Sequence, residues 1–206
     1  MSKLQIRLEP GRARKVAIAL AVVALLASAA YVYYRFFQPI TMIDYKGTVL
    51  AFRTDLREAA KVPVYPGESE LYRDTMHQLV QNVTIVFKDA GSDGNPYYIV
   101  EEVEIVNKMK LAYMLTFGTT DPNTGEVTPA MSPGFDAMEV GSYENLPGKI
   151  QNPIIAIVHP KFANETSVRN DGHVTFISGT DLHQLDLATV KFLMVELGIT
   201  ESDLSA

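Results

Sequence analysis

The chain has 206 residues, 47% of them apolar and 20% charged, with no cysteine and a formal charge of -6. Such a composition supports a buried core, and the missing cysteine excludes disulfides, thiolate zinc sites, iron-sulfur clusters and cysteine nucleophiles. Lys3, Arg7, Arg12, Arg14, Lys15 and Arg35 gather at the N-terminal end with only Glu9 against them, so the residues after Arg35 carry 12 bases and 23 acids, a net of -11 that disfavours nucleic acid and anionic lipid surfaces as partners.

From Val16 to Tyr34 nineteen residues run without a charge or a proline. At about 1.5 Å of rise per residue a helix of that length crosses the ~30 Å hydrocarbon core. The bases lie ahead of it, which orients the N-terminus to the cytoplasm and the rest of the chain outside. Tyr31, Tyr33, Tyr34, Phe36 and Phe37 suit the headgroup level at the far end. The expected organisation is a basic cytoplasmic segment at 1–15, a transmembrane signal-anchor helix at 16–37 and an extracytoplasmic domain at 38–206. A cleavable signal peptide, cut after the small residues Ala27, Ser28 and Ala29, is the alternative. Either way the domain is exported.

Beyond the anchor, Ile40 to Tyr45 and Thr48 to Thr54 read as two strands about a Lys46-Gly47 turn. Asp55 followed by Glu58 reads as a capping pair for a short helix that Pro63 and Pro66 end. Tyr72, Met76, Leu79 and Val80 share one face of a helix over Glu68 to Gln81. Val83 to Phe87 is a β-branched strand, Pro96 opens a helix carrying Ile99, Val103 and Val106, and the alternation of Met109, Leu111, Tyr113, Leu115 and Phe117 predicts a second strand. That is a β-α-β unit with a parallel crossover. Residues 118–148 hold five glycines and four prolines and are expected as a long surface excursion. Ile154 to Val158 and Val174 to Ile177 are short apolar strands. A final helix from Leu182 to Leu197 is apolar nearly all round, broken mainly by Asp186, Thr189, Lys191 and Glu196, and stops at Gly198. The fold expected is α/β: a sandwich-like domain with a mixed, partly parallel sheet, behind one N-terminal transmembrane helix.

FRTDLREAAKVPVYP (Phe52 to Pro66), IIAIVHP (Ile154 to Pro160) and LDLATVKFLMVELG (Leu185 to Gly198) resemble, in order, segments of an uncharacterised family of archaeal single-pass membrane proteins. The resemblance implies an archaeal surface location and an extracytoplasmic α/β domain. It assigns no residue a role.

Motifs for chemistry are sparse. The chain has no G-x-S-x-G elbow, no P-loop (Gly148-Lys149 is followed by Ile150) and no H-E-x-x-H helix. Asp89, Asp93 and Gly94 match positions 1, 5 and 6 of a calcium loop, but Gly91 and Val100 occupy ligand positions and Glu101 falls one residue late, so a Gly/Asp-rich turn is the expected reading. Asp121 to Gly125 is a turn of the same kind. His77, His159, His173 and His183 have no short ligand spacing, and neither a metal nor a cofactor is expected. If the apolar strands are mutually parallel, the residues after them meet at one edge, where open α/β sheets bind ligands. Asp89, Thr120, Asp121, His159 and Asp181 are therefore the candidate crevice. Asn82-Val83-Thr84 and Asn164-Glu165-Thr166 match the N-glycosylation sequon, Asn164 being the better placed. The functional expectation is a membrane-anchored binding or assembly module of the cell envelope, with membrane lipid around residues 16–37 and another envelope protein as partners. An extracytoplasmic enzyme of hydrolytic type, with its site at the strand ends, is the alternative.

Overall fold

The structure is a computed structural model that describes residues 18–28, 41–91, 97–120, 127, 128 and 130–204. The chain divides into two compact units, Met1–Ile40 and Thr41–Ala206. In the first, residues 18–28 are helical (α1), and their apolar side chains are open, from 52% exposed at Val22 to 71% at Leu25. The remainder of the expected 16–37 span lies outside the described residues; among those described, no helix is long and apolar enough to cross a membrane.

The second unit begins with the hairpin β1 (Thr41–Tyr45) and β2 (Thr48–Phe52), paired antiparallel from Thr41↔Phe52 to Tyr45↔Thr48. Lys46 (φ 51) and Gly47 (φ 80) are both left-handed, as a two-residue hairpin of this twist requires, and Asp44 Oδ1 accepts the Gly47 N–H at 2.9 Å. Asp55 caps α2 (Leu56–Ala59) by accepting from Arg57 N. After β3 (Val64–Tyr65), α3 (Glu68–Thr75) is shorter than the expected Glu68 to Gln81: Met76 leaves helical geometry, and Leu79 is 53% exposed rather than on a buried face.

β4 (Asn82–Phe87) leads to α4 (Tyr97–Phe117), and here the expected strand from Met109 to Phe117 is overturned. Ile105, Met109, Ala112 and Tyr113 fall on one helical stripe and are all buried, whereas Leu111 and Leu115 are only partly covered. The segment Asn107 to Phe117 is built largely of good helix formers, and no breaker occurs before Gly118. A β-α-β unit still forms, but its second strand is β7 (Gly134–Glu139), which pairs parallel to β4 from Asn82↔Gly134 to Phe87↔Glu139. The 118–148 stretch is therefore no plain excursion; it also carries the small hairpin β5 (Thr119–Thr120) and β6 (Val127–Thr128).

β8 (Ile154–Val158), β9 (Ser167–Asp171), β10 (Val174–Ser178) and α5 (Leu182–Leu197) complete the chain order of the main elements. The six-stranded sheet runs β3-β9-β10-β8-β4-β7, with β10, β8, β4 and β7 mutually parallel and β9 antiparallel to β10. The sheet is thus mixed and partly parallel, in an α/β domain. Its two faces differ. Val83, Ile85, Ile155, Ile157, Val168 and Ile177 join residues of α2, α3, α4 and α5 in the main core. On the other face Val86, Ile154, Ala156 and Val174 are covered by Val140, Tyr143 and Leu146 of the loop after β7.

Candidate functional site

Because β4, β8 and β10 run parallel, Asp89, His159 and Asp181 all follow strands that end at the same edge. Thr120 instead belongs to the separate β5–β6 hairpin, because the strand expected to deliver it is part of α4; Asp121 lies outside the described residues. At the shared edge each polar side chain serves its own turn. Asp89 Oδ1 accepts from Gly91 N at 2.8 Å, His159 Nδ1 accepts from Lys161 N at 3.2 Å, and Asp181 Oδ1 caps α5 by accepting from Gln184 N at 2.8 Å. Asp93, Gly94 and Pro96 of the calcium-like loop lie outside the described residues. Aromatic rings close this edge: Phe87 stacks on Tyr98 at 4.6 Å, and the buried His159 ring meets Tyr98 and Phe162 edge-on. Burial, then the charges of Asp89 and Glu139, push the Tyr98 hydroxyl pKa up.

A second assembly joins α4, α5 and the end of β2. The Arg53 guanidinium reaches Glu104 at 2.8 Å, Asp186 at 2.9 Å and Glu101 at 3.2 Å, and Lys108 reaches Glu104 at 2.8 Å. Burial works against the Arg53 charge, but the acidic groups around it, Glu101, Glu104 and Asp186, outweigh burial and raise its pKa. Glu101 is fully buried, and its carboxyl pKa stands well above the usual range because of burial and its hydrogen bond with Asp186, only partly offset by Arg53 and Thr189. Two carboxyl groups bond to one another only through a proton, and the raised pKa of Glu101 favours that proton on Glu101 rather than on Asp186. Sequence reasoning did not place Arg53, Glu101 or Glu104. Asp186 was visible only as a polar break in an apolar helix.

The other breaks in α5 are answered in the same way. Lys191 Nζ donates to Glu68 Oε1 at 2.6 Å and to Ala60 O at 3.1 Å. Thr75 Oγ1 lies 2.7 Å from Leu71 O and 2.6 Å from Glu196 Oε1. Burial holds the Glu196 carboxyl well above its usual pKa, and the hydrogen bond from Thr75 offsets this only in part. Both groupings are structural: they satisfy polar atoms between packed helices. Among the described residues no set of three or more His, Asp or Glu side chains is placed to hold a metal ion.

A concavity lies on the helix-free face of the sheet. The pairings Tyr65↔Arg169, Arg169↔Phe176, Phe176↔Ala156, Ala156↔Val86 and Val86↔Met138 set one row of side chains across all six strands. The loop after β7 buries Ala156 and Val86 in the middle and leaves Tyr65, Arg169 and Met138 exposed. Between loop and strands is a groove of about 630 Å³ whose walls include Tyr143, Glu144, Asn145, Arg169, Asp171 and Phe176. Arg169 packs its guanidinium 4.8 Å from the centre of the Phe176 ring. Asn145 is held left-handed at φ 56. No motif announces this groove in the sequence, because strand register alone brings Arg169 and Phe176 beside a loop that follows β7.

The chain matches no family model, no curated protein and no solved structure. The α/β architecture and the groove are what define the molecule.

Proposed function

We propose that the chain is a membrane-anchored extracytoplasmic binding module of the cell envelope, held by residues 16–37, and that the groove on the helix-free sheet face receives a segment of another envelope protein. One observation carries the groove assignment: the Glu144, Asn145 and Asp171 side chains line a single concavity and, among the described residues, make no hydrogen bond or ion pair, while the Arg169 side chain packs on the Phe176 ring. Concave sites with a few convergent polar groups are where ligands bind. The net of -11 beyond Arg35 favours a partner that brings lysine or arginine to Glu144 and Asp171. Open apolar side chains along residues 18–28 and the bases ahead of them support the anchor and its direction. The enzymatic reading has less support, since Asp89, His159 and Asp181 are each occupied by a local turn or cap.

The test uses the full chain in its native membranes, with a photo-crosslinking amino acid at Asn145. The expected adduct is one envelope protein, lost at high salt and in a variant carrying Glu144→Lys and Asp171→Lys. Adducts with lipid alone, or a protein adduct indifferent to both changes, would refute the groove. Protease added outside intact cells is expected to digest the domain and spare an N-terminal tag; digestion of the tag would refute the orientation.

A further inference from the structure

Two sequons lie in the chain, and the structure treats their asparagines in opposite ways. Asn82 is the first residue of β4, inside the sheet, half-buried, and its Nδ2 donates to Asp136 Oδ2 at 2.8 Å. Its Oδ1 lies where a side chain on Gly134 would begin, 2.5 Å from the ideal Cβ position. The nitrogen that would have to react is therefore spent on a hydrogen bond in a strand paired on both sides. Asn164 is exposed at a bend between the short 3-10 turn Pro160–Phe162 and β9, and among the described residues its side chain makes no hydrogen bond. Two residues on, Thr166 is held in place: its Oγ1 accepts from Thr180 N at 3.3 Å and lies 3.4 Å from Thr180 Oγ1.

We infer that Asn164 is an N-glycosylation site and that Asn82 is not. The inference rests on the extracytoplasmic reading above, because the modifying enzymes work on that side of the membrane. The chemistry is a group transfer from a lipid-linked oligosaccharide phosphate or pyrophosphate. Asn164 Nδ2 forms a bond to the anomeric carbon of the first sugar, the bond from that carbon to the phosphate oxygen breaks, the lipid phosphate leaves, and the amide gives up one proton. Of the two sequon asparagines, Asn164 is the one that presents an amide nitrogen without a hydrogen bond among the described residues, on a segment outside the sheet ladder. The location also fits the groove. Asn164 and Thr166 lie toward the edge where β8 and β10 end, whereas Asp171 and Val174 line the groove at the opposite end of those strands, so a glycan on Asn164 leaves the groove open.

The experiment is peptide mass spectrometry of the full chain purified from its native cells, together with Asn164→Gln, Asn82→Gln, Thr166→Ala and Thr166→Ser. Hexose-containing mass is expected on the Asn164 peptide. It should disappear in Asn164→Gln and Thr166→Ala, persist at lower occupancy in Thr166→Ser, and be unchanged in Asn82→Gln. An unmodified Asn164, or sugar on Asn82, overturns the inference. External protease on the same cells tells the two failures apart: a digested domain with a bare Asn164 removes the glycan and leaves the topology standing, while a protected domain removes both.

Discussion

The Tyr143 hydroxyl donates to the Ile157 carbonyl at 2.7 Å and accepts from Lys88 N at 3.0 Å. Ile157 pairs with Phe87 at the last rung of the β4–β8 ladder, so the phenol continues the ladder where the backbone stops. Burial is the main cause that pushes this hydroxyl pKa up to about 12, and the same contact pins the loop that forms one wall of the groove. Replacing Tyr143 with Phe leaves the Lys88 N–H and one carbonyl without their partner. A loss of roughly 1–3 kcal/mol is expected in denaturant unfolding, with faster amide exchange over residues 140–149. Unchanged exchange there would show that the loop is held by its apolar contacts alone.

Arg53 is the hub for Glu101, Glu104 and Asp186, and removing it leaves this acidic cluster between α4 and α5 without its main counter-charge. Arg53→Met should lower stability by about 3 kcal/mol. Glu101→Gln, which replaces a carboxyl already carrying its proton, should cost much less. Equal losses from the two substitutions in urea titrations would mean that Glu101 is ionised in the native state.

The buried acids set the direction of the pH response. Glu101 and Glu196 keep their protons in the folded chain well above the pH at which the unfolded chain releases them. Their contribution is therefore complete below the unfolded value of about 4.3 and is lost as pH rises through the folded values. The midpoint of thermal unfolding should fall as pH rises above about 4.3, and Glu196→Gln should flatten the fall. A wild-type midpoint that rises with pH above that value would reverse the assignment.

Gly179 lets the chain turn from β10 straight into α5. A Cβ built there would lie 2.1 Å from Leu185 N, against backbone rather than a flexible side chain. Gly179→Ala should cost about 3 kcal/mol, whereas Gly141→Ala, where a Cβ meets nothing within 4 Å, should be nearly neutral. Comparable midpoints for the two variants would show that α5 can shift to make room.

Calcium is expected to do nothing. The calcium-like loop lacks two of its ligands in sequence, and Asp89 is committed to Gly91 N. Thermal unfolding with excess calcium and with chelator should superimpose; a rise with calcium would restore Asp89 as a ligand.

Where local pattern determined the structure, the sequence was readable: the Lys46-Gly47 hairpin, β8 and α5 stand at or close to the boundaries that periodicity and turn chemistry indicate. Met109 to Phe117 misled because its apolar residues satisfy both a two-residue alternation and a helical stripe, and packing of Met109, Ala112 and Tyr113 decides for the helix. β7 and β9 went unseen for a different reason. Gly134–Glu139 and Ser167–Asp171 lack a sustained apolar run and become strands because a neighbour's edge receives them. The convergence of Asp89, His159 and Asp181 on one edge followed from parallel strands, but their commitment to turns, like the groove itself, depends on contacts that periodicity does not encode.

The strand order has a consequence for how the domain is made. β3 pairs only with β9, about a hundred residues downstream, and both neighbours of β4, β7 and β8, follow it in sequence. A chain that emerges N-terminus first therefore cannot close this sheet until β9 and β10 have appeared, so its early strands wait with open edges. Nascent chains of this protein truncated before Ser167 should be captured by holding chaperones, while those that reach past Gly198 should be released.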